Sequence, residues 1–346
     1  MPINILVGAI TGIASAILFL GLVSGNSLGV LSLVLMALPV TIAGLGWSRV
    51  TALASVGVAS VIIGVAAAPI AAVYFAGIIG LPLVGITYLA MLRRDVVDDR
   101  GQQGVEWYPI GRLVVAITLW AGSLSALLVG AILSRGNDLQ TAMRAFVDYL
   151  FDTVFTLPPD AAVQLTDARR DEIAATFTSY IPFALSTSWM LVAVVSVYLS
   201  AVIVHRSGQL QRPWPDLSTM ALPRLMNLIF MAAAIATFAG GTVGEMAKCF
   251  VWAIAFAYVL QGLAILHQTS RGRSFRGLLL FVVYAGLFFV QPISTMIIAL
   301  IGLAEPVSPL RRQMTELGPP PGRGPPGASG SGPSQGPGPP GGAPPS

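Results

Sequence analysis

Apolar runs of about twenty residues, separated by short polar joints, set the pattern of this chain. They fall at about 4–23, 28–46, 50–68, 70–92, 113–133, 181–204, 225–241 and 246–266. A last stretch, about 277–304, contains Pro292. About 20 apolar residues in a helix cross the roughly 30 Å hydrocarbon core of a bilayer. Lipid offers an unpaired backbone amide no partner, so the pattern predicts an all-α, polytopic transmembrane bundle of about 8–9 spans. The opening run has no basic stretch before it, and Ala14-Ser15-Ala16 lies inside it rather than after it; it reads as a retained first span. The last stretch admits two readings, one kinked span or a pair of half-helices.

Two segments break the pattern. Between about 134 and 180 the chain turns polar, but Leu139, Met143, Phe146, Val147, Leu150 and Val154 recur at helical spacing, with Asp148 and Asp152 on another face. This predicts an amphipathic helix ended by Pro158-Pro159, then a polar helix at about 160–178. The pair would form either a cap over the bundle or a linker resting on headgroups. From about Leu317 the chain is rich in proline and glycine and has no apolar residues to seed a core, so disorder is expected there. The expected organisation is spans 1–5 over 1–133, an extracytoplasmic helical insertion over 134–180, spans 6–9 over 181–312 and a disordered tail over 313–346.

Composition agrees with the pattern. The chain is 55% hydrophobic and 10% charged, where a soluble domain of this size carries about 25% charged residues. The net charge of +4 comes from arginines flanking the runs, with no basic stretch interleaved with aromatics, which excludes a nucleic-acid partner. Arginines gather at Arg49 and in the loops 93–112, 205–224 and 267–277, while 134–180 is rich in aspartate. Counting spans puts those four arginine sites on one side and the insertion on the other. The positive-inside bias then predicts a cytoplasmic N-terminus and an external insertion.

Candidate chemistry is sparse. Cys249 is the one cysteine, and His205 and His267 each follow the end of a span, too few groups for a metal centre. No catalytic motif occurs and no carboxylate lies deep in a span, so neither an enzyme nor a cofactor is expected. Glu245 and Lys248, three residues apart at the start of the eighth run, can pair as a rim salt bridge. Together with Ser188 and Trp189, and with Ser186 nearby, they could instead line a small-molecule site at the outward mouth. Gly8, Gly12 and Ala16 recur every four residues in the first run, a stripe suited to close helix packing or to docking another membrane subunit.

Two loop motifs carry a resemblance. HRSGQLQRPWPDLSTMALPR contains Arg212-Pro213-Trp214-Pro215-Asp216 before a Leu-Pro-Arg that opens the next run. QGLAILHQTSRGRSFRG holds His267, Arg271, Arg273 and Arg276, and IGLAEPVSPLRRQ follows the last run. Up to about Arg312 the chain resembles the YybS-like family of bacterial membrane proteins, departing from it at Glu305, where aspartate is usual. The resemblance implies a bacterial inner-membrane protein, distantly similar to the S components of energy-coupling-factor transporters and to the rod-shape protein MreD. By that likeness Gly8, Gly12 and Ala16 would dock a coupling subunit, although this chain has more spans and an added insertion. The expected function is a solute-binding or transport subunit in the lipid bilayer, with a polar-lined cavity between the fifth, sixth and eighth runs. The alternative is a non-transporting scaffold for envelope or division machinery.

Overall fold

The computed structural model describes residues 2–23, 29–97, 101–136, 138–154, 166–290 and 292–305. The segment expected to be a disordered tail lies outside the described residues, as do Pro158-Pro159 and the start of the second polar helix. The helices are α1 (Pro2–Val23), α2 (Gly29–Leu35), α3 (Leu38–Gly46), α4 (Arg49–Ala66), α5 (Pro69–Tyr74) and α6 (Leu81–Ala90). A hairpin of β1 (Arg93–Val97) and β2 (Gln103–Trp107) follows. Then come α7 (Ile110–Ser134), α8 (Leu139–Tyr149), α9 (Asp167–Thr178), α10 (Ile181–Arg206), α11 (Leu225–Ala236), α12 (Gly241–Thr269), α13 (Arg276–Phe289) and α14 (Ile293–Ala304). Six helical stretches among the described residues are long and apolar enough to cross a membrane, and four shorter apolar helices accompany them. The expected count of 8–9 spans is thus six long helices supplemented by short ones.

Proline explains most of the shortening. The second run is two helices because Pro39 lacks the N–H that would continue the ladder. The carbonyls around that break are met by hydroxyls from neighbouring helices: Ser15 donates to Met36 O at 3.0 Å, Ser196 to Val34 O at 3.2 Å and Ser200 to Leu38 O at 3.4 Å. The fourth run widens into a π-helical segment, Phe75–Gly80, just before Pro82 in α6. A wider turn gives the proline ring room against the preceding carbonyls. The last stretch is two helices, α13 and α14, split at Pro292. That break is common to both readings of 277–304; beyond it α14 runs along α12, with Ile298 beside Gly262 and Gly302 beside Tyr258.

Helix contacts fix the arrangement. α1 lies on α4, and a β-carbon on Gly8 would come within 2.8 Å of Ala54 Cβ and 2.9 Å of Thr51 O. Gly12 is closed in the same way by Ser55 and Val58, and Ala16 is fully buried. The small-residue stripe is therefore covered within the chain. α14 lies on α12, where a β-carbon on Gly262 would collide with the Ile298 carbonyl oxygen and one on Gly302 with that of Tyr258.

The arginine-bearing segments meet at one end. Arg49 lies over the Tyr88 ring, Gly46 faces Val204 and Gln209, and Arg212 and Arg271 tie the 207–224 segment to α6 and to the end of α12. The 93–112 loop adds the antiparallel hairpin, with Arg94 opposite Glu106 and paired with it. At the other end α8 seats Leu139 and Met143 on a cluster with Val129, Ile132, Ile181 and Met246. α9 is bound to α8 through Arg144, which pairs with Asp148, Asp167 and Asp171, and Arg170, which pairs with Asp148 and Asp152. The insertion is a helical pair resting on the bundle end. Phe146, half of it exposed, faces away from the cluster.

A Gly262→Leu variant is expected to lose about 1–3 kcal/mol or more through overpacking against α14. Gly57→Leu, at an exposed position with nothing within 4 Å, should leave the melting temperature of the purified protein unchanged in a thermal unfolding scan.

Candidate functional site

A cavity of about 760 Å³ opens at the arginine-rich end between α7, α10 and α12. Its walls are apolar: Ile110, Val114 and Ile117 from α7, Val194 and Val197 from α10, and Leu260 and Leu263 from α12. Polar groups sit around the mouth, namely Tyr198, Arg212, Asp216, His267, Arg271, Arg276 and Tyr284. The expected cavity between the fifth, sixth and eighth runs thus exists, but at the arginine-rich end and with mainly apolar walls.

The rim is built by the loop motif. A residue before proline is held extended, so Arg212 and Trp214, each followed by proline, run along the mouth without coiling. Arg212 donates to Ala90 O at 2.8 Å and to Tyr108 O at 2.9 Å, stapling the loop to the end of α6 and the start of α7. The Trp214 ring lies against Tyr198 and His205, with centroids 6.2 and 5.0 Å away. Asp216 accepts from Ser218 N at 3.0 Å and Ser218 Oγ at 2.8 Å, closing a tight turn. It also takes both arms of Arg271, at 2.6 and 2.7 Å. The loop then enters the bundle, where Leu222 N donates to Gln261 Oε1, and Gln261 Nε2 donates to Gly302 O at 2.7 Å. Gln261 is fully buried and joins loop, α12 and α14.

The Arg271 fork, with the Ser218 donors, holds the Asp216 carboxyl well below the usual carboxylate range. A carboxylate whose folded pKa is depressed contributes stability that is complete above its unfolded value, about 3.9, and is lost only as pH falls through the lower folded value. The latch therefore holds throughout the neutral range. His267 shares a hydrogen bond of 2.9 Å with Tyr284 of α13, setting that helix beside the mouth.

Of the loop motif residues, Arg212, Trp214, Pro215, Asp216, His267, Arg271 and Arg276 line the cavity. Pro213 does not, and Arg273 sits over the Phe275 ring. None of Ser188, Trp189, Glu245 and Lys248 is in the lining. Glu245 and Lys248 pair with each other at 2.6 Å, Ser188 is exposed on α10, and Trp189 meets Trp120 edge to face. Ser186 instead points inward to Cys249 O at 2.9 Å. Sequence reasoning missed Gln261, although an amide in the interior of an apolar helix of 29 residues is a visible signal. It also missed Tyr198 and Tyr284, whose roles appear only once the helices are placed.

Residues 12–305 match the family described as predicted membrane protein (DUF2232), and the chain belongs to that family. No curated protein and no solved structure matches the chain. The YybS-like name and kinship with energy-coupling-factor S components are not part of what this match shows.

Asp216→Asn should free Arg271 and speed amide hydrogen exchange several-fold across 217–222. In the unsubstituted protein, exchange of that segment, corrected for intrinsic rates, should stay flat from pH 5 to 8.

Proposed function

We propose that this membrane protein is a binding or transport subunit that takes an amphiphilic solute into the cavity at its arginine-rich end. The observation that carries the reading is the cavity itself, whose volume lies in the range of small-molecule sites, about 300–1,000 Å³. Apolar walls with a few polar groups at the mouth suit a ligand with an apolar body and a polar end. The role proposed is binding without catalysis, because Asp216, the carboxylate at the mouth, is committed to Arg271. A stable, fully engaged carboxylate is poorly placed to exchange protons with a substrate near neutral pH. The scaffold reading has less support, since the small-residue stripe that could dock a partner is covered by α4.

The proposed setting is a bacterial inner membrane with the arginine-rich end in the cytoplasm, following the positive-inside bias. The N-terminus then lies inside, and α8 and α9 cap the outer end. In a Cys249→Ala background, Gln140→Cys should react with an impermeant maleimide in intact spheroplasts. Gln103→Cys should react only in inverted vesicles, and the reverse result would refute the orientation.

The binding role is tested by purifying the protein into nanodiscs from its native membrane and identifying retained small molecules by mass spectrometry. Val197→Trp, which fills the cavity, should abolish retention of a species that the unsubstituted protein carries. An identical retained set in both proteins would sink the proposal.

A further inference from the structure

Resting on the binding role proposed above, we infer that the ligand is a single-chain amphiphile with an anionic head, bound head outward against Arg276. The charge balance at the mouth points to an anion. Three arginines, Arg212, Arg271 and Arg276, face one carboxylate, Asp216. Arg271 is neutralised by that carboxylate, and Arg212 is spent on two backbone carbonyls. Arg276 lines the cavity and forms no ion pair among the described residues. A guanidinium at the border between water and an apolar wall gains most from an anionic partner, through charge-assisted hydrogen bonds in a region of reduced dielectric. The pair His267 and Tyr284, hydrogen-bonded beside it, supplies further polar contacts for the same head.

Depth and volume define the rest of the ligand. From Ile110 to Ile117, Val194 to Ala201 and Leu260 to His267, three helices line the cavity over seven-residue steps. Each step is about 10 Å long, so an apolar body would lie within the hydrocarbon layer while its head stayed at the rim. The cavity volume, about 760 Å³, lies in the range of pockets that take drug-sized ligands, about 300–1,000 Å³. One chain with its head is of that size, whereas a two-chain phospholipid is larger.

The test uses the full chain in nanodiscs of zwitterionic phosphatidylcholine, titrated with dodecyl phosphate, dodecanol, dioleoyl phosphatidic acid and inorganic phosphate. Binding is read by native mass spectrometry. Dodecyl phosphate should bind well above dodecanol. Arg276→Gln should weaken dodecyl phosphate about tenfold or more, as loss of a charge-assisted hydrogen bond implies, and leave dodecanol unchanged. Arg276→Lys should restore most of the affinity. Equal binding of dodecyl phosphate and dodecanol, with no effect of Arg276→Gln, would overturn the anionic head yet leave the binding role standing. Phosphatidic acid binding as tightly as dodecyl phosphate at a site sensitive to Val197→Trp would overturn the single chain. Inorganic phosphate displacing the probe at millimolar concentration would overturn the amphiphile in favour of a site for the head alone. Failure of every probe to bind, or binding indifferent to Val197→Trp, would overturn both this inference and the binding role.

Discussion

Inside a bilayer no polar group can borrow a hydrogen bond from solvent, and Gln261 is where this fold meets that constraint most fully. Its carboxamide lies fully buried in a long apolar helix, and both of its ends are used: the oxygen takes Leu222 N and the nitrogen gives to Gly302 O. Those two groups belong to the loop that crosses the cavity mouth and to the short helix α14. An amide left unpaired there would cost about 1–3 kcal/mol for each orphaned group, so the three segments hold together or loosen together. The position of the loop, and with it the shape of the cavity, depends on this one side chain. Arg212 and the Asp216–Arg271 pair then fix the loop's outer half.

The same constraint explains why a chain of regular-looking apolar runs folds into irregular helices. Pro39, Pro82 and Pro292 each interrupt a ladder, and the structure answers with a break, a π-helical turn and a split pair of helices. Where carbonyls are freed near Pro39, serines on α1 and α10 supply the donors. Hydroxyls inside the bundle thus complete the backbone, which is why Ser15, Ser196 and Ser200 are buried. Glycines do the complementary work of close approach, bringing α1 onto α4 and α14 onto α12.

Much of this architecture is legible in the residues. Run length gives the membrane helices, and the spacing from Leu139 to Val147 gives the amphipathic helix of the insertion. Arginine placement groups the loops that meet at one end. The hairpin at 93–107 was hidden because its strands are short and charged. The break at Pro39 was hidden because hydropathy averages over it. The cavity was the least legible feature. Its walls are ordinary valines, leucines and isoleucines, and only the relative placement of α7, α10 and α12 turns them into a site. The motif Arg212-Pro213-Trp214-Pro215-Asp216 did stand out as a pattern, but its work as the rim of a mouth required the partners Ala90, Tyr108, Ser218 and Arg271, which are far apart in sequence. Ser188, Trp189, Glu245 and Lys248 drew notice as polar or aromatic groups near membrane depth, yet they sit apart from the cavity and mostly satisfy one another or face outward.

The proposed binding role stands on an apolar cavity with a basic rim at the arginine-rich end. A cryo-electron microscopy structure of the protein in native-membrane nanodiscs tests it most directly. Elongated density is expected between α7, α10 and α12, running from Arg276 toward Ile117. A well-resolved map in which Ile117, Val194, Val197 and Leu263 close against one another, leaving no room between the three helices, would contradict it.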